Sequence, residues 1–329
     1  MSLRVLFLGG TGIISSACAA LAVERGLDLT VLNRGGGASR RPLPEGVEVL
    51  TADARSPEVL RTALGDREFD VVVDFVAFTA AHVAADVETF RGRVGQFVFI
   101  SSASAYQKPV GHLPITESTP LRNPFWQYSR NKIAAEDVLV RAYRDEGFPA
   151  VVVRPSHTYD RYSLPVDGGW TIVERMRRGK PVVVHGDGTS LWVLTHHRDF
   201  AKGFVPLLGD RRVTGEAVHI TGEEVLTWDA IHRVLADAAG AGEPQLVHVP
   251  SDVIAREDPA RGPGLLGDKA HSVVFDTTVL KRLVPGFAAT IPFAEGAREI
   301  VAHHDAHPEL RRVDPVVDAL EDDLVRRWG

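Results

Sequence analysis

The sequence predicts an α/β protein built on a doubly wound parallel sheet, with a smaller α+β lobe for a substrate. Near-continuous runs of valine, leucine, isoleucine and phenylalanine alternate with helix-periodic segments through the first half of the chain, which is typical of parallel strands covered by helices on both faces. The first run, residues 3–8, leads at once into a glycine cluster and a helix rich in small residues. Beyond Arg154-Pro155 the pattern becomes shorter, more irregular and richer in histidine and tryptophan.

The individual elements follow from the same patterns. The strands predicted for the sheet are residues 3–8, 29–33, 47–51, 71–75, 96–101 and 150–154, and the helices are residues 57–64, 80–91 and 129–144, after a first helix that ends near Gly26. In the second half we predict helices at residues 171–178, 199–208, 227–239, 277–283 and 293–304 and a last one ending at Trp328. Strands are predicted there at residues 181–185, 217–220 and 246–249, and a glycine- and proline-rich loop at residues 258–267.

The first turn, Gly9-Gly10-Thr11-Gly12, joins the end of a buried strand to a helix N-terminus. Glycines allow positive φ angles and expose backbone N–H groups, on which a pyrophosphate can lie beside the positive end of the helix. A small residue, Ser15, stands where the third glycine of dinucleotide-binding turns usually lies. The alternative is an ordinary strand–helix turn.

The chain is predicted to form two lobes. We predict a dinucleotide-binding domain made of residues 1–158 together with residues 190–222. The remaining segments, residues 159–189 and 223–329, are predicted to form a substrate lobe.

Composition and charge exclude several classes of protein. At 329 residues and 44% hydrophobic residues, the chain is long enough for a large core in two lobes. The net charge of −6, without a basic stretch interleaved with aromatic residues, argues against nucleic acid as the main partner. Cys18 is the only cysteine, which rules out an intrachain disulfide and predicts a small core residue. A first strand that begins at Leu3 and the lack of a long apolar run predict a cytoplasmic protein with no signal peptide and no membrane span.

Two short motifs carry the candidate chemistry. Ser102 follows the apolar run 97–100, and Tyr128-x-x-x-Lys132 stands at the start of a predicted helix. Because positions i and i+4 share a helix face, the phenol and the ammonium can point at one ligand. A nearby cation lowers a tyrosine pKa from about 10 toward the range of general acid–base catalysis. Taken alone, the tyrosine–lysine spacing can arise by chance, and a serine at a strand end is often only a turn cap. Found together on this scaffold, the two motifs predict catalysis.

These motifs, in this order, resemble those of the extended short-chain dehydrogenases/reductases of the NAD-dependent epimerase/dehydratase family, which includes nucleotide-sugar epimerases such as UDP-galactose 4-epimerase. The resemblance covers nearly the whole chain. Besides the glycine turn and the tyrosine–lysine pair, it rests on Ser102 four residues before Tyr106, residues 154–159, Gly186-Asp187-Gly188 with His196 and Asp199, Phe275-Asp276 with Leu280-Lys281, and residues 292–302. It implies a Rossmann fold, an NAD(P) cofactor, a sugar or nucleotide-sugar substrate, and a homodimer formed through two helices, one of them carrying Tyr128.

The resemblance also assigns roles to individual residues. It implies that Tyr128 shuttles the proton, that Lys132 binds the nicotinamide ribose and tunes the tyrosine, and that Ser102 holds the reacting sugar oxygen. The cofactor-binding residues that it implies are Gly9, Gly10, Thr11, Gly12, Ile13, Ile14, Asn33, Arg34, Asp53, Ala77, Tyr128, Lys132 and Pro155. The candidate substrate-binding residues are Phe78, Ser104, Trp126, His157, Trp192 and Lys269.

The end of the second strand departs from the family pattern. NAD-using relatives carry an acidic residue there that binds both ribose hydroxyls, but this chain has Asn33 followed by Arg34. Without the carboxylate a 2′-phosphate is no longer repelled, and the guanidinium can pair with it. We therefore favour NADP over NAD, the alternative being that Arg34 points to solvent. Asp53, after the third strand, either lies near the adenine or caps a helix.

The substrate side departs from the family pattern as well. Where sugar-nucleotide epimerases place an arginine on the diphosphate this chain has Trp192, and no second arginine occurs at residues 264–267, although Lys269 can replace one. We expect a less anionic substrate, such as a free sugar, a sugar acid or a glycosylated small molecule, stacked on Trp192, the alternative being that Trp192 packs in the core. His157, where relatives have asparagine, is a partner for a sugar hydroxyl, a proton-transfer group or a structural histidine. The histidine pairs 196–197 and 303–304 predict no metal site, because adjacent residues on a strand point to opposite faces.

Two kinds of function follow. The first is an NAD(P)-dependent oxidoreductase or epimerase acting on a sugar, a nucleotide sugar or a sugar-like secondary alcohol, and the sequence leaves open whether the outcome is epimerisation, dehydration or reduction. The alternative is a non-catalytic or RNA-binding member of the same family, since the Asn33-Arg34-Gly35 turn resembles that of chloroplast RNA-binding members. The acidic balance and the complete Ser/Tyr/Lys set argue against this alternative.

Overall fold

The computed structural model describes residues 2–35 and 41–329 of the chain. Its strands are β1 (Arg4–Leu8), β2 (Asp28–Asn33), β3 (Glu48–Thr51), β4 (Val71–Asp74), β5 (Gln96–Ile100), β6 (Ala150–Pro155), β7 (His157–Tyr159), β8 (Val182–His185), β9 (Leu191–Trp192), β10 (Leu194–His196), β11 (Ala217–Ile220), β12 (Leu226–Thr227) and β13 (Leu246–Val249). Its helices are α1 (Ile13–Glu24), α2 (Pro57–Leu64), α3 (Ala80–Phe90), α4 (Gln127–Glu146), α5 (Trp170–Arg177), α6 (His197–Phe204), α7 (Trp228–Ala238), α8 (Ser251–Glu257), α9 (Gly262–Gly264), α10 (Thr278–Leu283), α11 (Phe293–Ala306) and α12 (Pro315–Trp328). Four 3₁₀ turns lie at Ala103–Ala105, Val205–Leu207, Arg211–Val213 and Pro308–Leu310, and a π-helical turn at Leu265–Lys269.

Seven parallel strands form the central sheet, in the order β11-β6-β5-β4-β1-β2-β3. The chain starts in the middle of the sheet, moves outward to β3, and then returns through β4 toward the opposite edge. The strand order therefore reverses beside β1, and in such sheets ligands bind in the crevice beyond the strand ends at this point. The predicted doubly wound parallel sheet is confirmed, and the predicted strand 217–220 joins its edge as β11.

Strand β1 separates two hydrophobic cores, because successive side chains of a strand point to opposite faces. Val5 and Phe7 pack on one face of the sheet with Cys18 of α1, while Leu6 and Leu8 pack on the other face with Leu139 of α4. Cys18 is buried, as predicted, and burial raises the pKa of its thiol. A third core, around the side chains of Trp192, Trp228 and Phe293, holds the second half of the chain together.

The predicted elements of the first half agree with the structure to within two residues at each end. Four strands of two or three residues, β7, β9, β10 and β12, were not predicted because they are too short to show a period of two. The predicted loop at residues 258–267 is wrong, since α9 and the π-helical turn occupy much of it and α8 precedes it. Glycines there pack against an aromatic side chain, with the Cα of Gly264 beside the Trp126 ring, so tertiary contacts override the low helix propensity of glycine.

Within the described residues, none of the helices has both the length and the apolar character needed to cross a bilayer.

Candidate active site

Two cavities meet at the carboxyl ends of the central strands. One, of about 740 Å³, is lined by residues that include Gly9, Thr11, Gly12, Asn33, Arg34, Asp53, Arg55, Phe78 and His82, and is called the glycine-loop cleft below. The other, of about 400 Å³, is lined by residues that include Ile13, Ser102, Ser104, Trp126, Tyr128, Pro155, His157, Trp192, Asp268 and Lys269, and is called the tyrosine cavity. They adjoin at Gly12 and Ile13, and the ring of Phe78 in the cleft lies 6.4 Å from that of Tyr128 in the cavity.

The glycine loop brings bare backbone to the floor of the cleft. Gly9 has a φ of +85°, and a Cβ there would lie 2.5 Å from Val76 Cγ1. The Gly12 N–H donates to Ser15 Oγ at 2.8 Å, so the serine at the third glycine position caps helix α1. The glycines therefore leave open backbone at the N-terminus of helix α1, in space that a Cβ would occupy. This space borders the cleft and fits the pyrophosphate of a dinucleotide.

Of the other residues predicted to bind a cofactor through this loop, Gly10 and Ile14 line neither cavity. Gly10 is buried, and its N–H donates to Asn33 Oδ1 at 3.0 Å. Ile14 packs against the core beside β1. Gly10 thus fixes the loop against β2, and the contact surface of the loop is formed by its neighbours.

Replacing Gly10 by alanine is expected to lower the free energy of unfolding by about 1–3 kcal/mol, because the new Cβ would lie 2.4 Å from Val31 Cγ1 in the core. Urea unfolding of the purified variant measures the change. Gly12→Ala is the matched control, since Gly12 has an ordinary φ of −82° and its Cβ would meet only Ser15 Oγ, at 3.2 Å. Equal stability of the Gly10→Ala variant and the natural protein would contradict the close packing seen here.

The far end of the cleft carries the residues predicted to read the ribose and adenine. Arg34 is exposed at the rim, next to the amide of Asn33. Asp53 caps its own turn, accepting from the Arg55 N–H at 2.9 Å, whereas Ser56 stands at the N-cap of α2. The Asp53 carboxylate thus accepts a hydrogen bond within its own turn, and the exposed side of the residue lines the cleft.

Sequence reasoning missed a buried ion cluster under this end of the cleft. Arg55, which lines the cleft, donates to Asp74 at 2.6 Å and to Asp86 at 3.3 Å, and both carboxylates are buried. Asp74 also accepts from the backbone N–H groups of Val76 and Ala77, which fixes the loop after β4. Burial raises the pKa of Asp86 well above its usual range. The sequence signals were the position of Asp74 at the end of β4 and the Asp-Ala-Arg stretch after β3.

Ser102 and Tyr128 line the tyrosine cavity, and Lys132 is buried beside them and lines neither cavity. Ser102 ends the loop after β5 and hydrogen-bonds the Tyr128 phenol. The Ser102 Oγ lies 2.9 Å from Ser104 Oγ, which in turn accepts from Ser129 Oγ at 2.8 Å. Tyr128 and Lys132 lie one turn apart on α4, with the Lys132 Nζ 5.7 Å from the centre of the phenol ring. A chain of hydroxyls thus orients the serine, and Ser104 supports it from a buried position.

Lys132 is buried and points at backbone oxygens. Its Nζ donates to the carbonyls of Ala77 at 2.7 Å and Ile100 at 2.8 Å, and lies 4.8 Å from the ring centres of Phe78 and Phe99. The lysine therefore ties the loop after β4 to the end of β5. Ala77 is fully buried and contributes its carbonyl to this tie, while the exposed Phe78 belongs to the cleft and not to the substrate side, where it was predicted.

The electrostatics of this pair differ from the sequence-based prediction. Burial raises the pKa of Tyr128 from its ordinary value, although the hydrogen bond from Ser102 acts in the opposite direction. Burial also lowers the pKa of Lys132 to about 8. Both charged forms are disfavoured because both groups are removed from water. The expectation that the ammonium lowers the tyrosine pKa is wrong for the protein alone.

His157 and Trp192 form a rigid wall of the tyrosine cavity. The Trp192 Nε1–H donates to His157 Nδ1 at 2.9 Å, and because an indole nitrogen only donates, the neutral imidazole carries its proton on Nε2. Burial lowers the pKa of His157 to about 3. The ring therefore stays neutral near pH 7, which argues against a role in proton transfer and leaves an N–H that can donate to a substrate oxygen.

The prediction that a substrate stacks on Trp192 is wrong. Trp192 is only 2% exposed and its ring lies 5.2 Å from that of Trp228, so it packs in the core and reaches the cavity only as part of its wall. Trp126 is one of the partly exposed aromatic residues of the cavity, with its ring centre 4.8 Å from that of Tyr128.

Two charged residues of the π-helical turn also line the tyrosine cavity. Lys269, predicted from the sequence, lies 3.6 Å from Asp167. Its neighbour Asp268, which sequence reasoning missed, lies 3.6 Å from the buried Lys108. No arginine of the described residues lines this cavity, in agreement with the lack of arginines at the expected sequence positions.

Among the described residues, no group of three or more histidine, cysteine, aspartate or glutamate side chains is placed to hold a metal ion. His196 lies 3.1 Å from Glu299, and His304 stacks on Trp170.

The sequence and the fold of this chain are both similar to those of known proteins. A sequence model described as the NAD dependent epimerase/dehydratase family matches residues 5–221. The 2'-dehydrokanamycin reductase of Streptomyces kanamyceticus is 28% identical over 291 residues, which cover 87% of this chain and 80% of that protein. Chloroplast stem-loop binding protein of 41 kDa b, from Arabidopsis thaliana, is 26% identical over 256 residues, covering 74% of this chain and 65% of that protein. Among solved structures, a UDP-glucose 4-epimerase of Thermus thermophilus in complex with NAD has a TM-score of 0.73 at 24% identity, covering 93% of this chain and 100% of that one.

Proposed function

The chain belongs to the NAD-dependent epimerase/dehydratase family, and we propose that it is an NAD(P)-dependent enzyme that oxidises or reduces a secondary alcohol of a sugar or sugar-like molecule. The observation that carries the proposal is that Ser102 and Tyr128 line the tyrosine cavity beside the glycine-loop cleft, with the buried Lys132 Nζ 5.7 Å from the centre of the phenol ring. The cleft fits a dinucleotide and the cavity fits a sugar ring, so the phenol stands between the two.

The residues of the site have distinct tasks in this proposal. When bound in the cleft, a nicotinamide dinucleotide supplies the hydride acceptor or donor. Tyr128 removes the proton of the substrate hydroxyl at its phenol oxygen, or returns it, and Ser102 holds the same substrate oxygen by a hydrogen bond. Lys132 keeps the loop after β4 and the end of β5 at a fixed distance from the phenol. The imidazole of His157 donates its Nε2–H to a second substrate oxygen.

The charge of the tyrosine cavity bears on the substrate. A diphosphate needs cations, and arginine is the side chain best suited to it, yet the described residues place no arginine in the cavity wall, and its single lysine is countered by Asp167. This supports a substrate that carries little negative charge. A relative named for the ketone 2'-dehydrokanamycin points the same way, whereas the epimerase named above acts on UDP-glucose.

The proposal is tested by identifying the cofactor and then the substrate. Purified protein is denatured, the released nucleotide is identified as NAD or NADP, and neutral sugars, amino sugars and nucleotide sugars are screened for a change in nicotinamide absorbance. We expect a dinucleotide and hydride transfer with at least one sugar class. Tightly retained cofactor indicates an epimerase, and exchange with solution indicates a dehydrogenase or reductase. Salt-sensitive RNA binding without hydride transfer would support the non-catalytic alternative instead.

Replacing Arg34 by alanine is expected to weaken NADP binding by about 1.5–3 kcal/mol and to change NAD binding little, because a charge-assisted hydrogen bond to the 2′-phosphate would be lost. The proposal that NADP is preferred rests on Asn33, which carries no charge to repel that phosphate, and on the exposed guanidinium at the cleft rim. Titration of the protein with each dinucleotide measures both affinities. Equal losses for NAD and NADP would reject the assignment.

The larger assembly also remains a proposal. We expect residues 1–158 with 190–222 to bind the cofactor and the other segments to bind the substrate. We expect a homodimer through α3 and α4, which pack against each other and leave Val140 and Tyr143 of α4 exposed. Sedimentation equilibrium distinguishes a dimer from a monomer.

A further inference from the structure

Asp268, in the wall of the tyrosine cavity, forms a charged pair with the fully buried Lys108. The Lys108 side chain is 0% exposed and that of Asp268 is 21% exposed, with the Nζ and Oδ1 atoms 3.6 Å apart. This distance is longer than a normal hydrogen bond, and the Lys108 Nζ has no hydrogen-bond partner among the described residues. A buried lysine therefore offsets the charge of the carboxylate from behind, while the oxygens of Asp268 keep their accepting capacity toward the cavity.

The turn that carries Asp268 is fixed to the catalytic loop. Asn123, which is buried, donates through Nδ2 to the carbonyls of Ser104 at 2.9 Å and Gly267 at 2.7 Å. A Cβ on Gly267 would lie 2.8 Å from the Cβ of Trp126. The π-helical turn thus packs directly against the segment leading into α4, and Asp268 is held in the same cavity wall as Ser102 and Tyr128.

The chemistry of a carboxylate restricts what can bind beside it. Burial raises the pKa of Asp268, whereas the nearby Lys108 and Lys269 act in the opposite direction and favour the ionised form. An ionised carboxylate only accepts hydrogen bonds, so it can bind hydroxyl and ammonium groups but offers no donor to a phosphate or a carboxylate. The other charged residue that the described part of the chain contributes to the cavity, Lys269, is countered by Asp167.

We propose that Asp268, backed by the buried Lys108, binds a hydroxyl or ammonium group of the substrate ring and thereby selects neutral or amino sugars against nucleotide sugars and uronic acids. Asp268 is the specificity-determining residue in this proposal, and Lys108 and Asn123 are positioning residues. The proposal rests on the function proposed above and adds the substrate class to it.

The position of Asp268 has a consequence for the catalytic tyrosine. Its negative charge acts to raise the pKa of Tyr128, and the charged or titratable groups around Asp268 are Lys108, Lys269, His271 and Tyr128 itself. A substrate ammonium on Asp268 would cancel this charge and lower the tyrosine pKa. Removing the charge by mutation should also lower the pKa of Tyr128. The increase of the oxidation rate at alkaline pH should therefore begin at lower pH in Asp268→Asn.

The test compares the natural protein with Asp268→Asn, using D-glucose, D-glucosamine, D-glucuronic acid and UDP-glucose as probes with saturating dinucleotide. Hydride transfer gives kcat and KM, and the thermal shift of the dinucleotide-loaded protein gives sugar binding independently. We expect the natural protein to prefer the first two sugars at least about tenfold in kcat/KM, and Asp268→Asn to lose most of this preference through KM. The ratio of glucosamine to glucose distinguishes an ammonium from a hydroxyl as the bound group.

Matched variants separate specificity from folding. Asp237→Asn removes an equal charge from an exposed position at the end of α7 and should leave the preference unchanged. Asp268→Glu keeps the charge and should retain the selection against UDP-glucose even if turnover falls. A natural protein that prefers UDP-glucose, or an Asp268→Asn variant with the same preference and the same pH profile, would overturn the assignment of Asp268. If no sugar of this set or of the broader screen above is oxidised or stabilises the loaded protein, the proposed function itself fails.

Discussion

Replacing Tyr128 by phenylalanine is expected to lower hydride transfer at least about a hundredfold, because the variant has no group at that position to exchange a proton with the substrate oxygen. The ring itself would remain, with its contacts to Trp126 and Phe78. Cofactor and sugar binding should therefore change by less than about threefold, so that the loss falls on kcat rather than on KM. Steady-state kinetics with the sugar identified by the screen measures both constants.

Tyr143→Phe is the control for this variant, since Tyr143 lies on the same helix but is 41% exposed and remote from both cavities. Its turnover should match that of the natural protein. A Tyr128→Phe variant that keeps most of its activity would remove the phenol from the mechanism, and the proton would then have to pass through another group.

The pH dependence of the natural protein follows from the environment of the same phenol. Burial raises the pKa of Tyr128, and removal of a proton from an alcohol requires the phenolate. The rate of alcohol oxidation should therefore increase as the pH rises into the alkaline range, whereas ketone reduction, which needs the protonated phenol, should decrease. Initial rates of alcohol oxidation and of ketone reduction, measured across this pH range, test the two opposite trends.

Much of the scaffold was predictable because it depends on local pattern. Continuous apolar strands and periodic helices specify a parallel sheet without reference to distant residues, and the glycine turn is specified by the φ angle and close packing that its backbone needs. The position of Ser102 at the same edge of the sheet as the glycine turn was predictable too, since the carboxyl ends of parallel strands share one edge.

The substrate side was less predictable because it depends on contacts between distant segments. Trp192 was expected to face a ligand, but its neighbours Trp228 and His157 come from other parts of the chain and enclose it. Asp268 gave no signal because its partner Lys108 is 160 residues away. The tyrosine pKa was predicted with the wrong sign, since the pattern shows the nearby charge but not the burial that outweighs it.

The free energy of unfolding should also report on Lys132, the lysine of the proposed active site, through its pH dependence. Burial lowers the pKa of Lys132 to about 8 in the folded protein, against about 10.4 in an unfolded chain. Between these values the unfolded chain holds more protons, so the contribution of Lys132 to stability rises with pH across that window. Urea unfolding at several pH values should show this slope in the natural protein, and Lys132→Met should lack it.

Lys132→Met should combine the loss of this slope with a large loss of function. The substitution leaves the buried carbonyls of Ala77 and Ile100 without their donor, which should lower the free energy of unfolding by about 2–4 kcal/mol. Because these carbonyls set the loop after β4 and the end of β5 against Tyr128, we expect turnover to fall at least about a hundredfold as well. Lys180→Met, which removes a lysine from a surface ion pair, should change stability by less than about 0.5 kcal/mol and leave turnover intact. A Lys132→Met variant with natural turnover would show that the ammonium has no part in the chemistry, even if the stability falls as expected.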